Sequence, residues 1–291
     1  MLQWLRNRIE IWKDYPLHDG YVVGGRYRIE HCIGMGSYGI TYKVKDLETD
    51  KVYLLKQHKP SKGKLGAKLL KKEAKHLNLI QHSNIPSCIH EWEEKGRSFL
   101  VMDFIEGFNV EQLLDGGQFS FSELEALEVV KRIAALIADV HRAGLIHMDV
   151  RIPNVLIQGE QVYLIDFGLS RQYSEGRANS DQQDNVDSIP PLYAGLNAAE
   201  NSQGDHFKQR MRRIHPSSDW YALGHFLLFL LYSTYEADEE QEERCWTEEL
   251  DMHAETKALI QMLLAASDTF DDTVYLVQIE KSYAAIKSSF S

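Results

Sequence analysis

The N-terminal part of the chain alternates short hydrophobic runs with polar residues. Between residues 27 and 105 most runs are β-branched or aromatic and only a few residues long, which is the pattern of strands. One stretch, residues 65–79, repeats its hydrophobic positions at helical spacing instead. The pattern therefore predicts a sheet-rich region that contains one main helix.

The spacing becomes helical after Gly107. Residues 121–142 have hydrophobic positions at helical intervals, and Ser122 with Glu125 forms a capping-box pattern at their start. The most hydrophobic run, residues 220–232, is too short to span a bilayer and predicts a buried helix. This part of the sequence is therefore typical of a helical region.

Two lobes follow from this change of pattern. We predict an α+β fold with a small antiparallel β-sheet N-lobe at about residues 21–102 and a larger, mainly helical C-lobe at about residues 108–291. Residues 103–107 would form a hinge and place a cleft between the lobes. No internal repeat or low-complexity linker interrupts the sequence.

An amphipathic helix is predicted within residues 1–20, ahead of the N-lobe. Its hydrophobic residues recur at gaps of three, four and three, at Leu2, Leu5, Ile9 and Trp12. Such a helix can pack on its own domain, bind a partner or lie on a membrane surface. We favour packing on its own domain.

Composition narrows the range of functions. With 291 residues, 44% of them hydrophobic and 26% charged, the chain has the composition of an ordinary globular protein. Its net charge of -11 argues against general nucleic-acid binding, because such binding requires a basic surface that neutralises phosphates. A nucleotide ligand is compatible with this charge.

The cysteines indicate a reducing compartment. Cys32, Cys88 and Cys245 are odd in number, widely spaced and form no CxxC pair, so neither a disulfide framework nor a zinc site is indicated. The N-terminus lacks the apolar core of a signal peptide, and no segment has the length and hydrophobicity of a membrane span. We therefore expect a cytoplasmic protein.

A glycine-rich loop is the first candidate for ligand binding. Residues 33–39 read Ile-Gly-Met-Gly-Ser-Tyr-Gly, a GxGxxG in which backbone amides can approach phosphate oxygens closely. A dinucleotide-binding loop would be followed by a helix, whereas residues 40–45 continue as an alternating strand. The loop therefore caps a hairpin, and an ordinary glycine-rich hairpin is the alternative to a phosphate site.

Lys56 and Glu73 follow the glycine loop. Lys56 ends the strand-like run of residues 52–55, which would place its ammonium beneath the loop, and Glu73 lies on the next predicted helix as its partner. Each residue alone is more often a solvated surface charge. Their order after the glycine loop favours a functional pair.

The strongest signal lies near the middle of the chain. Residues 145–154 read Leu-Ile-His-Met-Asp-Val-Arg-Ile-Pro-Asn, and Asp-Phe-Gly follows at residues 166–168. The His, Asp and Asn keep the spacing of HRDxxxxN, and the later triplet matches DFG. Over about residues 26–232 the chain thus resembles the eukaryotic-type (Hanks-type) protein kinase family.

The resemblance implies a bilobal protein-kinase-like fold, ATP and Mg²⁺ as cofactors and a protein substrate. Asp149 would be the catalytic base that accepts the proton of the substrate hydroxyl. Asp166 and Asn154 would bind magnesium through hard oxygen ligands. Arg151 would offer a cation to the transferred phosphate, and Lys56 would bind the α- and β-phosphates.

An ATP site is implied as well. Met102 stands at the gatekeeper position, the backbone of Asp103 and Ile105 would hydrogen-bond adenine, and Leu156 would form the floor of the adenine pocket. The implied ATP-contacting residues are Ile33, Gly34, Met35, Gly36, Ser37, Tyr38, Gly39, Thr41, Lys56, Glu73, Met102, Asp103, Ile105 and Leu156.

Some positions depart from the family pattern. Met148 replaces the arginine before the catalytic aspartate, which removes the cation that a phosphorylated activation loop would pair with. Leu54 stands where the family usually has alanine against adenine, which predicts a tighter purine pocket. The family's glycine-threonine pair is absent, since Ile-Pro at residues 189–190 precedes Pro-Leu-Tyr.

The C-lobe matches the family less closely. Asp219 matches the aspartate that anchors the catalytic loop, and Glu200 replaces the end of the APE motif. Basic residues at 208–213 could bind an acidic substrate or a phosphate, and the acidic stretch 236–251 could dock a basic partner. We favour a solvated surface for both segments.

A serine/threonine protein kinase is the leading hypothesis for function. Arg151 stands where serine/threonine kinases mostly have lysine and some tyrosine kinases have arginine, but no tyrosine-kinase tryptophan signature follows. Two alternatives stay open. The chain could be a catalytically impaired pseudokinase that acts as a scaffold, or a small-molecule kinase on a related fold.

Overall fold

The structure of the chain, a computed structural model, describes residues 14–115, 119–173, 209–235, 244–267 and 271–289. The chain divides into two compact units, Met1–Phe108 with Leu156–Leu169 and Asn109–Val155 with Ser170–Ser291. The lobe boundaries drawn from the sequence stay predictions. The four hydrophobic residues of the predicted N-terminal helix lie outside the described residues.

A six-stranded antiparallel sheet forms most of the first unit. Its strands are β1 (Val22–Val23), β2 (Tyr27–Met35), β3 (Gly39–Asp46), β4 (Val52–His58), β5 (Cys88–Glu94) and β6 (Arg97–Asp103). They lie in the order β1-β2-β3-β4-β6-β5. Every second residue of β3 is buried, including Ile40, Tyr42 and Val44, because successive side chains of a strand point to opposite faces. These three residues join a hydrophobic core with Tyr27 and Leu55.

One helix accompanies this sheet. Helix α1 (Gly63–Leu77) packs against β4 and β6 and buries Leu70, Ala74 and Leu77. It begins and ends two residues before the predicted stretch of residues 65–79. The buried face of α1 also carries Glu73, which is only 3% exposed. The hydrophobic contacts of α1 therefore fix a carboxylate inside the first unit.

A second, three-stranded sheet consists of β7 (Phe108–Asn109), β9 (Val155–Gln158) and β10 (Gln161–Leu164). A Cβ at Gly107, whose φ is +150°, would come within 2.7 Å of the carbonyl oxygen of Ile157, so only glycine fits there.

Asn84 holds the β9–β10 hairpin in place. Its side-chain amide donates to the carbonyl of Val162 at 3.0 Å. The backbone N–H of Leu164 donates to the carbonyl of Asn84 at 3.1 Å, so the β9–β10 hairpin is held to the first unit.

Helices dominate the second unit. They are α2 (Val110–Leu114), α3 (Glu123–Arg142), α4 (Ser217–Tyr232), α5 (Trp246–Glu249), α6 (Ala254–Leu264) and α7 (Asp272–Ser289), with the short paired strands β8 (Leu145–Ile146) and β11 (Arg171–Gln172). The predicted capping box at the start of α3 is present, because Ser122 and Glu125 bond each other's backbone N–H groups.

Helix α4 is buried along most of its length and packs against α3 and α6. A Cβ at Gly224 would come within 2.9 Å of the Cβ of Leu263, which shows how closely α4 and α6 approach. The predicted buried helix at residues 220–232 is therefore confirmed. In the part of the chain that the structure describes, no helix is long and apolar enough to cross a membrane.

Candidate active site

Lys56 is the centre of a charged cluster in the first unit. It lies in β4 opposite Leu100 of β6. Its Nζ donates to Oε1 of Glu73 at 2.6 Å and to Oδ1 of Asp166 at 2.9 Å. The structure thus brings Lys56 and Glu73 together and adds Asp166, from the segment after β10, to the same ammonium.

Burial makes these contacts strong. The Lys56 side chain is 15% exposed and that of Glu73 is 4% exposed. Burial lowers the pKa of Lys56, but the carboxylates of Asp166 and Glu73 outweigh this effect and hold the pKa above its ordinary value. Burial raises the pKa of Glu73 to about 7, although the ammonium of Lys56 acts in the opposite direction. Asp166 is 42% exposed, so its carboxylate can still meet a ligand.

The backbone around Asp166 is unusual. Its φ of 65° lies in the left-handed region, which residues other than glycine rarely adopt. The next side chain, Phe167, is fully buried, and the N–H of Gly168 donates to Oδ1 of Asp166 at 3.2 Å. Strained backbone of this kind persists where surrounding contacts hold it, and it clusters at functional sites.

The glycine loop joins β2 to β3, and the strand predicted after the loop is present. A Cβ at Gly34 would meet nothing within 4 Å, and a Cβ at Gly36 would meet only the carbonyl of Gly39, at 3.8 Å. A Cβ at Gly39 would instead come within 3.2 Å of the carbonyl oxygen of Gln57. Packing therefore accounts for Gly39 and leaves open space over the other two glycines.

The end of β6 is fixed by two contacts. The N–H of Asp103 donates to the carbonyl of Ser87 at 3.2 Å, and its carboxylate accepts the N–H of Ser87 at 2.9 Å. Met102 is buried in β6 opposite Leu54 of β4. A role in adenine binding stays a prediction for Met102, Asp103, Ile105 and Leu156.

A second cluster lies in the second unit, around Asp149. The side-chain amide of Asn154 donates to Oδ2 of Asp149 at 2.6 Å and to its backbone carbonyl at 3.0 Å. The guanidinium of Arg151 forms an ion pair with Oδ1 of Asp149 at 2.9 Å. Asn154 is 5% exposed, whereas the side chain of Arg151 is 35% exposed. The three residues predicted from the sequence therefore meet within one loop.

Asp219 holds this loop from helix α4. Its Oδ2 accepts the backbone N–H of His147 at 2.7 Å, and its Oδ1 accepts that of Met148 at 2.8 Å. Met148 has a φ of 66°, again in the left-handed region. The contact between Asp219 and the loop, which the resemblance implies, thus fixes the strained residue directly before Asp149.

Two further polar residues of the second unit make contacts that sequence patterns did not predict. His141, at the end of α3, contacts Oδ2 of Asp219 through its Nε2 at 3.0 Å. Arg210 donates to the carbonyls of Leu264 and Ala266 at 2.7 and 2.6 Å, at the end of α6. The solvated surface favoured for residues 208–213 is therefore wrong for Arg210. Neither residue belongs to a recognised sequence motif, so their roles become apparent only from their tertiary contacts.

Other predicted positions lie outside the described residues. They are Glu200, Lys208, residues 189–193 and the first part of the acidic stretch, residues 236–243.

The sequence is similar to those of known protein kinases. The protein kinase domain family matches residues 27–278. The chain is 32% identical over 262 residues to the probable serine/threonine-protein kinase YbdM of Bacillus subtilis (strain 168), covering 89% of this chain and 90% of that protein. It is 25% identical to serine/threonine-protein kinase 33 of Mus musculus, covering 69% of this chain and 44% of that protein.

A solved structure shows the same fold. The kinase domain of Mycobacterium tuberculosis PknI aligns with a TM-score of 0.64 at 19% identity, covering 92% of this chain and 100% of that one. The sheet, the helices and these matches define an enzyme of the phosphotransferase class, and they confirm the predicted α+β kinase fold. The chain belongs to the protein kinase family, of the Hanks type that the sequence indicated.

Proposed function

We propose that this protein is a serine/threonine protein kinase that transfers the γ-phosphate of ATP, with Mg²⁺ as cofactor, to hydroxyl side chains of a protein substrate. The observation that carries the proposal is the contact of Lys56 with both Glu73 and Asp166. Phosphoryl transfer in this family requires the lysine–glutamate pair and the DFG aspartate together. The names of the relatives support serine and threonine as acceptors.

The glycine loop fits the phosphates of ATP. The space over Gly34 and Gly36 serves no packing contact, and a side chain there would keep a phosphate from the backbone amides. Lys56 would neutralise the α- and β-phosphates, since its raised pKa keeps it charged. Met102, Asp103, Ile105 and Leu156 would bind adenine.

The donor set also fits magnesium. Asn154 uses its amide nitrogen for both contacts with Asp149, so its amide oxygen is the atom that can bind a metal. The family resemblance implies Asp166 as the other ligand, and its half-exposed carboxylate is a hard oxygen donor of the kind that Mg²⁺ takes from proteins. Within the described ranges no three Asp, Glu, His or Cys side chains form a metal site by themselves. Mg²⁺ bound to ATP would neutralise charge on the phosphate oxygens.

Asp149 would act as the catalytic base. Asn154 orients one carboxylate oxygen, and Arg151 balances the charge of the other. The carboxylate could then accept the proton of a substrate hydroxyl, a step that typically contributes about 10²–10⁴-fold. The exposed part of the Arg151 guanidinium could meet the transferred phosphate.

A cytoplasmic location belongs to the same proposal. Cys32, Cys88 and Cys245 are free thiols, which fits a reducing compartment. An interaction of the N-terminal segment, residues 1–20, with the enzyme itself or with a partner also remains a proposal.

A transfer assay tests the function. The purified chain is incubated with labelled ATP, Mg²⁺ and generic protein substrates, followed by phospho-amino-acid analysis. We expect phosphoserine and phosphothreonine, lost in Lys56→Met and Asp149→Asn. Lys64→Met and Asp251→Asn make the same chemical changes at exposed positions and should retain activity.

The same assay separates the two alternatives. Nucleotide-dependent thermal stabilisation without transfer would favour a pseudokinase scaffold. Consumption of ATP only in the presence of a metabolite would favour a small-molecule kinase.

A further inference from the structure

A buried polar chain runs from the first residue of α7 to the loop that carries Asp149. Oδ1 of Asp272 lies 2.9 Å from Nδ1 of His141, and Nε2 of His141 lies 3.0 Å from Oδ2 of Asp219. The side chains of His141 and Asp219 are 4% and 1% exposed, and that of Asp272 is 28% exposed. Three ionisable side chains thus form one chain of contacts in the second unit, with the partly exposed Asp272 at one end.

The chemistry of the imidazole explains this arrangement. Each ring nitrogen of His141 faces a carboxylate, and both nitrogens can donate only when the ring is protonated. A buried imidazolium requires compensating charge, and a carboxylate on each side provides it. Without Asp272, His141 would lose one acceptor and half of its charge compensation.

Helix α7 is in turn fixed in place. The indole N–H of Trp220, on α4, donates to Oδ1 of Asp272 at 2.7 Å. The Trp220 ring stacks on Tyr275, one turn into α7, with ring centroids 4.8 Å apart. Contacts between α4 and α7 therefore fix the position of the Asp272 carboxylate.

The other end of the chain of contacts reaches the catalytic loop. The same Oδ2 of Asp219 that contacts His141 also accepts the N–H of His147, while Oδ1 accepts the N–H of Met148. Left-handed backbone at a residue such as Met148 is strained and persists only where contacts of this kind hold it. A rotation of the Asp219 carboxylate would release both amides.

We propose that Asp272 is a positioning residue for phosphoryl transfer: through His141 it orients Asp219, which holds the backbone of His147 and Met148 and so places Asp149. This inference rests on the proposed role of Asp149 as the base. The first residue of α7 thus helps to set the geometry of the reaction, although it lies far along the chain from the kinase motifs.

The test uses Asp272→Asn and compares it with Asp271→Asn. Asparagine keeps the shape of Asp272 and an oxygen for Trp220, but it cannot balance the imidazolium. Asp271 is exposed, and its carboxylate accepts the backbone N–H of Val274, a contact that asparagine preserves. Asp271→Asn therefore makes the same chemical change at the adjacent residue and serves as the control. We expect Asp272→Asn to lower kcat at least about ten-fold, since small displacements of a catalytic group are costly, with KM for ATP almost unchanged. Asp272→Glu, which keeps the charge, should recover part of the loss.

Hydrogen exchange supplies a readout that does not need activity. In Asp272→Asn the amides of His147 and Met148 should exchange faster, while those in the middle of α3 and α4 keep their protection. Unchanged kcat and unchanged loop protection would overturn the inference, and so would a loss of protection throughout α3 and α4, which indicates a merely structural role. A wild-type chain without transfer activity would instead refute the proposed function, and loop exchange would still test the link to Asp272.

Discussion

Arg210 lies over the ring of Tyr221, with its guanidinium carbon 4.3 Å from the ring centroid. The same guanidinium donates to two carbonyls at the end of α6. One side chain therefore satisfies the last turn of α6 and joins it to α4, which carries Asp219.

This contact leads to a prediction for stability. Arg210→Met should lower the free energy of unfolding by about 2 kcal/mol, because it removes two charge-assisted hydrogen bonds and a cation–π contact. Arg212→Met, at an exposed position, should change it by less than about 0.5 kcal/mol. Urea denaturation of both variants measures the difference, and equal midpoints would contradict the proposed role of Arg210.

The pair that Glu73 forms with Lys56 should be needed for efficient phosphoryl transfer. Glu73→Gln leaves a hydrogen-bonding side chain of the same size but removes the charge that holds Lys56. We expect kcat/KM to fall by about 10²-fold, the scale seen when a preorganised electrostatic contact is removed. Steady-state kinetics with varied ATP checks this result, with the exposed Glu91→Gln as the control. Equal kinetics in the two variants would mean that the pair with Lys56 is dispensable.

His141 should make stability depend on pH. Burial lowers the pKa of His141, but the hydrogen bonds with Asp219 and Asp272 and their charge raise it to about 9, from an ordinary value of 6.5. A pKa raised by folding stabilises the folded state fully below pH 6.5, and this stabilisation disappears as pH rises through 9. The difference amounts to about 3 kcal/mol.

Chemical denaturation across this pH range measures the effect. The groups that face His141 are Asp219 and Asp272, and Arg142 acts on Asp272 from a distance. Asp272→Asn should reduce the loss of stability between pH 6.5 and pH 9, since the folded pKa of His141 then lies closer to its ordinary value. A pH profile identical to that of the wild type would rule out this source of the dependence.

The segment before β1 should stabilise the start of α1. Asp14 accepts the N–H of Ser61 at 2.9 Å and its hydroxyl at 2.6 Å, in the turn that leads into α1. Asp14→Ala should cost about 1 kcal/mol, the usual scale for losing a contact of this kind at a helix start. Thermal unfolding compares it with Asp19→Ala, whose side chain is exposed. An equal melting temperature for the two variants would exclude the role of Asp14.

Local patterns predicted much of this molecule. Ser122 and Glu125 predicted the start of α3, because a capping box lies within four consecutive residues and can be recognised from sequence alone. Lys56, Glu73 and Asp166 could be named because the kinase pattern fixes their order along the chain. The contact between Asp166 and Lys56 joins residues 110 positions apart, and no local pattern predicts it.

Contacts without such a pattern could not be predicted. His141 and Asp272 are 131 positions apart, and an aspartate at the start of a helix is common enough to carry no signal. Arg210 and Leu264 are 54 positions apart, and the sequence shows the arginine only as one of several basic residues. Both pairs depend on how α4 packs against its neighbours, which hydrophobic spacing alone does not determine.

The segment Leu156–Leu169 belongs to the sheet unit although the helix α3 precedes it in the chain. During synthesis the first unit can therefore complete its contacts only after Asp166 has been added to the chain. By then the whole of α3 has already been synthesised. A fragment that ends at Phe108 would leave the ammonium of Lys56 with Glu73 alone. The first unit is thus discontinuous in sequence. Truncation of the chain after Phe108 removes Asp166, one of the charged residues of that unit.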